Sequence, residues 1–227
     1  MGPPEMREPR AARAVTALVF AGGDPPAPGG TSDLEADLVI AADSGLEHAQ
    51  ALGARVDLVI GDLDSVDPDA LDAALAAGAT AERHPAAKDA TDLELALDAA
   101  LERGVAAMHV VGVGGGRLDH FLANVLLLAS RRYRSVRIDA HVGDAWITVV
   151  HDEVELHASP GDLCSLLPLG GPAVGVLTDG LRFPLRRETL PPGTTRGVSN
   201  EFLATTARVS LDSGVLLAVL PDSEGEV

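Results

Sequence analysis

Val56-Asp57-Leu58-Val59-Ile60-Gly61-Asp62-Leu63-Asp64-Ser65-Val66-Asp67-Pro68 is the stretch that decides the fold. Its apolar run Val56–Ile60 reads as a strand buried on both faces. Asp62 and Asp64 leave that strand on an acidic turn, and Asp67-Pro68 opens a helix with a capping side chain and a proline in the first turn. Outward from this unit the same alternation repeats. Apolar runs at Val15–Phe20, Leu38–Ala41, Met108–Val113 and Val136–Ala140 are separated by helical patterns at Leu46–Leu52, Pro68–Ala77, Asp92–Arg103 and Leu118–Arg131. Strand and helix in alternation predict an α/β unit, a mostly parallel sheet flanked by helices.

After about Asp144 the helical period disappears. Short β-prone pieces (Trp146–Val150, Val154–His157, Leu163–Leu167, Ala173–Thr178, Ala207–Leu211, Leu216–Leu220) alternate with turns such as Ser159-Pro160-Gly161 and Pro191-Pro192-Gly193. That texture predicts a smaller C-terminal antiparallel β-sandwich. The expected organisation is a disordered leader over 1–12, rich in Pro, Arg and Glu, then an α/β domain over 13–143 and a sandwich over 144–227.

With 227 residues and 46% apolar composition the chain can bury a substantial core. A net charge of -17 leaves no basic stripe with which to displace phosphate counterions, so a nucleic-acid partner is not expected. No apolar run approaches the ~20 residues that cross a bilayer, so no membrane association is expected. The lone Cys164 excludes an internal disulfide and fits a reducing, cytoplasmic setting.

In an open parallel sheet, ligands meet the loops at the carboxyl ends of the strands. Asp43 follows Leu38–Ala41, Asp62 and Asp64 follow Val56–Ile60, and a glycine loop follows Met108–Val113. Carboxylates about 4 Å apart repel by roughly 4 kcal/mol at an effective dielectric near 20, so their convergence calls for a cation. All-oxygen ligands suit Mg²⁺. The calcium-loop alternative for Asp62–Asp72 lacks the required central glycine.

Lys88-Asp89-Ala90-Thr91-Asp92 has a structural side, because Thr91 can cap the following helix and Asp92 complements its dipole. Lys88 beside two acids also suits a phosphate held next to a metal. Gly112-Val113-Gly114-Gly115-Gly116-Arg117-Leu118-Asp119-His120 links a strand to a helix through four glycines, which lets backbone N–H groups approach an anion. Arg117 adds a guanidinium fork, with Asp119, His120 and Asn124 following. For His120 an ordinary hydrogen-bonded histidine fits equally well. The other six histidines show no metal-ligand spacing.

Taken in order, Asp43-Ser44-Gly45, Gly61–Ser65, Lys88–Asp92 and Gly112–His120 with Asn124 resemble the catalytic-domain motifs of the thiamine pyrophosphokinase family. Gly180–Leu185 and Gly197-Val198-Ser199-Asn200-Glu201 resemble that family's thiamine-binding sandwich. The resemblance implies ATP and Mg²⁺, transfer of the β,γ-pyrophosphoryl group to the thiamine hydroxyl, AMP as product, and a homodimer with sites shared between subunits. It implies Asp43, Asp62, Asp64 and Asp92 as catalytic acids, with Asp62, Asp64 and Asp92 as metal ligands. Lys88, Asp89, Thr91, Gly114, Gly115, Gly116, Arg117, Asp119, His120 and Asn124 then fall on the ATP side, and Phe183, Ser199 and Asn200 on the thiamine side. Ser44, Leu63 and Phe183 depart from the family's commoner residues; Leu63 changes packing, while Ser44 and Phe183 bear on substrate choice. A pyrophosphokinase of another hydroxymethyl heterocycle such as a pterin, and a non-catalytic nucleotide-binding homologue, remain as alternatives.

Overall fold

The computed structural model describes residues 14–25, 35–85, 87 and 89–221, so Lys88 and the expected leader over 1–12 lie outside the described residues. The α/β half runs β1 (Thr16–Phe20), β2 (Leu38–Ala42), α1 (Gly45–Ala51), β3 (Leu58–Gly61), α2 (Pro68–Ala76), β4 (Thr80–Arg83), α3 (Asp92–Glu102), β5 (Ala107–Val111), α4 (Leu118–Leu128) and β6 (Arg137–Val142). The second half is β7 (Ala145–Val150), β8 (Glu153–His157), β9 (Leu163–Pro168), β10 (Ala173–Asp179), β11 (Arg186–Leu190), β12 (Asn200–Glu201), β13 (Thr206–Ser210) and β14 (Leu216–Pro221).

Strands from both halves share one ten-stranded sheet in the order β12-β9-β14-β7-β6-β5-β1-β2-β3-β4. From β4 to β6 every neighbour pair is parallel, and from β6 to β12 every pair is antiparallel. A second antiparallel sheet, β11-β10-β13-β8, faces the end of the first. The fold is therefore a parallel sheet flanked by helices with a smaller antiparallel sandwich, and one sheet passes through both halves.

The residue pattern of β14 explains how one strand serves two layers. Leu217 and its neighbours Val215 and Val219 pack into the cluster that contains Leu93, Leu97 and Leu128 of the helices. Leu216, Ala218 and Leu220 point the other way, into the sandwich core with Val176, Val209 and Phe202. Alternation along a strand sends successive side chains to opposite faces, so a strand apolar at every position is the one buried on both.

Expected and observed elements agree within one or two residues across most of the chain, but three strands were not anticipated: β4, β11 and β12. Each lies at a sheet edge. Thr80-Ala81-Glu82-Arg83 and Arg186-Arg187-Glu188-Thr189-Leu190 are polar, as suits edges that must resist pairing with another chain. The expected last helix also stops three residues early, at Leu128, and Arg131–Tyr133 forms a separate 3-10 turn capped by the Ser130 hydroxyl.

Candidate active site

The acidic turns arise from backbone that the strands force into tight exits. Past β2 the Asp43 N–H donates to the Ile60 carbonyl at 2.9 Å, which ties the residue to β3, and its φ is +47°. Past β3, Leu63 has φ +60°, a conformation costing an ordinary side chain roughly 1 kcal/mol. Burial offsets that cost, because Leu63 joins the apolar cluster of Leu46, Val59 and Val66. With its middle residue drawn inward, the turn leaves Asp62 and Asp64 on the outside.

One carboxylate oxygen from each of Asp43, Asp62 and Asp64 lies within 4.8 Å of the others. Asp92, in the first turn of α3 and expected from the resemblance as a metal ligand, lies beside Asp43 without joining that group of three. A Cβ placed on Gly61 would stand 2.9 Å from Asp92 Oδ1 and 3.2 Å from Asp43 Cβ, and with φ +153° the position suits glycine alone. Asp43 Oδ1 is shut from solvent and has no hydrogen-bond partner among the described residues. Burial raises its carboxyl above the ordinary range, Asp92 adds to that, the Ser44 N–H opposes it, and Asp62 and Asp64 contribute less.

Asp43, Asp62 and Asp92 line a cleft of about 430 Å³, and Asp64 stands beside them outside its lining. Gly22 and Gly23, past β1, line it as well, as do Gly114, Gly115, Gly116 and Arg117, with His120 and Asn124 from α4. The two glycine segments are laced together, since Gly23 N–H donates to Gly112 O at 2.9 Å and Asp24 N–H to Gly114 O at 2.7 Å. A side chain at position 23 would strike the Gly112 and Gly114 carbonyls, so that pairing requires glycine. Ser44 also faces the cleft, its hydroxyl filling the space a Cβ on Gly22 would take.

The remaining expected residues are placed as follows. Thr91 lines the cleft and caps α3, accepting from Glu94 N–H at 3.2 Å. Asn124 Nδ2 donates to the Val113 carbonyl at 3.3 Å and steadies the glycine loop. Arg117 makes a two-bond fork to Asp119 at 3.1 and 2.6 Å; the Arg117 hydrogen bonds hold the Asp119 carboxyl down to about 2. Asp119 itself does not line the cleft, and Asp89 is an exposed residue ahead of α3.

Phe183, Ser199 and Asn200 lie in the second half, away from the cleft walls. Asn200 is buried, at 3% exposure. Its Oδ1 accepts from the N–H groups of Phe183 and Glu201 at 2.9 Å each, and its Nδ2 donates to Phe183 O at 2.8 Å. Ser199, with φ +54°, donates its N–H to Ser165 Oγ at 3.1 Å. Phe183 stays 53% exposed beside them.

Gly22 and Gly23 are cleft residues that sequence reasoning did not assign to the site, whereas Ser44 was marked beside Asp43. A glycine pair at the end of the first strand was the available sign, and it reads equally well as a plain turn.

With this geometry in view, the comparisons are specific. The family model described as "Thiamin pyrophosphokinase, catalytic domain" matches residues 34–140, and "Thiamin pyrophosphokinase, vitamin B1 binding domain" matches residues 149–216. The chain belongs to the thiamine pyrophosphokinase family. Among curated relatives, thiamine pyrophosphokinase of Bacillus subtilis is 28% identical over 146 residues, covering 60% of this chain and 64% of the relative. Thiamine pyrophosphokinase 1 of rice is 27% identical over 176 residues, covering 73% of this chain and 66% of the relative. The matched part thus spans slightly under two thirds of each of these relatives. The crystal structure of thiamine pyrophosphokinase from Bacillus subtilis superposes with a TM-score of 0.79 at 26% identity, over 92% of this chain and 99% of that one. A family protein from Enterococcus faecalis gives 0.75 at 26% identity, over 92% and 100%. Among the described residues, no helix is long and apolar enough to cross a membrane.

Proposed function

We propose that the protein is a thiamine pyrophosphokinase that transfers the β,γ-pyrophosphoryl group of ATP to the hydroxyl of thiamine, giving thiamine diphosphate and AMP. The observation that carries this reading is the set of three carboxylates within 4.8 Å, one with an orphaned buried oxygen, two of which line the same cleft as a glycine loop. At such a separation carboxylates repel by roughly 3 kcal/mol each at an effective dielectric near 20, which a hard divalent cation reverses. An all-oxygen donor set fits Mg²⁺, with Asp43, Asp62 and Asp64 holding it and Asp92 beside them. Bound there, Mg²⁺ supplies charge neutralisation for the triphosphate.

The chain's own groups do the rest. Backbone N–H groups of Gly114–Gly116 at the start of α4 meet phosphate oxygens, and Arg117, oriented by Asp119, reaches the same side. Phosphoryl-type transfer needs positioning and electrostatic stabilisation rather than a protein nucleophile. Lys88, Asp89, Thr91, His120 and Asn124 complete the nucleotide side in this reading, and Phe183, Ser199 and Asn200 the thiamine side.

Because the thiamine-side residues do not line the cleft of their own chain, the reading places them against the cleft of a second copy in a homodimer. A stripe on α4 supports that: Leu118, Leu122 and Leu126, one face at four-residue intervals, are 71%, 52% and 57% exposed, a poor arrangement for a lone chain in water. A cytoplasmic setting agrees with the single buried Cys164, whose thiol burial pushes up to about 12.

Thiochrome fluorescence and AMP release from ATP, Mg²⁺ and thiamine test the proposal. The wild type forms both products, and Asp64→Asn lowers turnover by about 10²-fold or more with the fold intact. Turnover of a hydroxymethyl pterin but not thiamine would move the assignment to that substrate. ATP binding without AMP formation on any alcohol would make this a non-catalytic homologue.

A further inference from the structure

The acidic turn is fixed at its strand end by the sheet. Gly61 pairs with Arg83 on β4, and its carbonyl accepts from His84 N–H at 2.7 Å. Six residues later, beyond the buried Leu63 and Val66, the chain is fixed again. The second anchor is a side chain from another element. Glu47, in the first turn of α1, accepts from the Asp67 backbone N–H through Oε1 at 2.8 Å.

The Asp67 end of the turn also starts the next helix and is joined to the acids through the backbone of Ser65 and Val66. Asp67 Oδ1 caps α2 by accepting from Asp69 and Ala70 N–H at 2.8 and 3.2 Å. Between the two anchors Asp64 N–H donates to Asp62 Oδ1 at 3.2 Å, and Ser65 Oγ donates to Asp64 Oδ1 at 3.0 Å. The turn also carries the positive φ of Leu63, and such a conformation persists only where its surroundings over-determine it. Glu47 Oε2 is itself buried with no hydrogen-bond partner among the described residues. A carboxylate kept in that state for one backbone hydrogen bond, four residues beyond Asp43, is an expensive way merely to join two helices. Gln50 Nε2, donating to Ala70 O at 2.8 Å, already joins α1 to α2.

We propose that Glu47 is a positioning residue that holds Asp62 and Asp64 in register with Asp43 for a divalent cation, by clamping the far end of the acidic turn. It touches neither cation nor substrate. This rests on the cation site proposed above, and the experiment separates the two.

Mn²⁺ binding is measured by calorimetry on the nucleotide-free chain for wild type, Glu47→Ala, Glu47→Gln and Glu47→Asp. Glutamine keeps an acceptor at the same reach, so Glu47→Gln should stay within about twofold of wild type, whereas Glu47→Ala, lacking one charge-assisted hydrogen bond, weakens Mn²⁺ by roughly five- to tenfold. Amide hydrogen exchange at Asp67 gives an independent readout: protection persists with glutamine and falls with alanine. If Glu47→Ala fails to fold, Glu47→Asp replaces it, since its carboxylate stops one methylene short of Asp67. Unchanged Mn²⁺ affinity in Glu47→Ala or its aspartate replacement, or equal losses in Glu47→Gln and Glu47→Ala, overturns the clamp. Absence of Mn²⁺ binding in the wild type overturns the cation site itself.

Discussion

At the carboxyl edge of the parallel strands, Asp43 and Leu63 hold positive φ, three carboxylates crowd within 4.8 Å, and Asp43 Oδ1 has no partner. In the sandwich, the buried polar Asn200 uses both side-chain atoms in three hydrogen bonds, and Thr178 Oγ1 accepts from Leu185 N–H at 2.8 Å. The two regions share a sheet, so they fold under the same constraints. What separates Asn200 and Thr178 from Asp43 is whether the buried polar group is satisfied within the chain or left for something to complete. An unsatisfied buried group weakens the fold, and functional sites are where such groups are kept. Mutations should therefore act with opposite signs in the two places.

The largest effect on stability is expected in the sandwich. Asn200→Ala removes three hydrogen bonds and leaves the Phe183 backbone without its partners, so denaturant unfolding should register a loss of about 2 kcal/mol. A loss below ~0.5 kcal/mol would mean that the sandwich tolerates unsatisfied groups as the rim does, and the contrast would collapse.

A smaller change of opposite sign is expected at the rim. The Asp43 carboxyl is raised by burial and by Asp92, so its charge is more favourable in the unfolded chain. Its contribution to stability is present in acid and is lost as pH rises through the raised value, leaving a penalty at neutral pH. Asp43→Asn removes that penalty and should stabilise the metal-free chain by about 0.5 kcal/mol, a small figure because Asp62 and Asp64 are open to screening solvent. The proposed site requires Mg²⁺ to raise the melting temperature of the wild type, and Asp43→Asn should abolish that rise. A variant that melts lower than wild type without metal would refute the idea that Asp43 is kept at a cost.

Sequence reasoning was informative where one force acts alone. Apolar periodicity located β1, β2, β3 and β5 because burial on both faces leaves no other reading of Leu38–Ala42 or Leu58–Gly61. It missed β4, β11 and β12 because edge strands are selected against the very pattern that marks a strand. At the site, the acids could be grouped by their positions after strands, since topology brings those positions together. Glu47 could not. Its partner is a backbone N–H twenty residues away, and no residue type announces that need. Asn200 stood out by its motif, but two of its three backbone bonds arise only when Phe183 is folded against it.

The finest test sets the two regions against each other by pH. His151, at the turn between β7 and β8, has its imidazole held below the ordinary value by burial, with Arg134 and Arg131 adding to that effect and Asp152 opposing it. A histidine lowered in the folded state contributes stability above about pH 6.5 that is lost as pH falls toward its folded value. Asp43 runs the other way, becoming easier to accommodate as pH falls through its raised range. Acid should therefore loosen the sandwich before the rim. Amide exchange followed from pH 7 downward should show protection falling first in β7 and β8, with β2 and β3 lagging, and His151→Gln should delay the sandwich response. Equal loss in both regions, or an unaltered profile in His151→Gln, would show that the two halves of the shared sheet open as a single unit and that local electrostatics do not divide them.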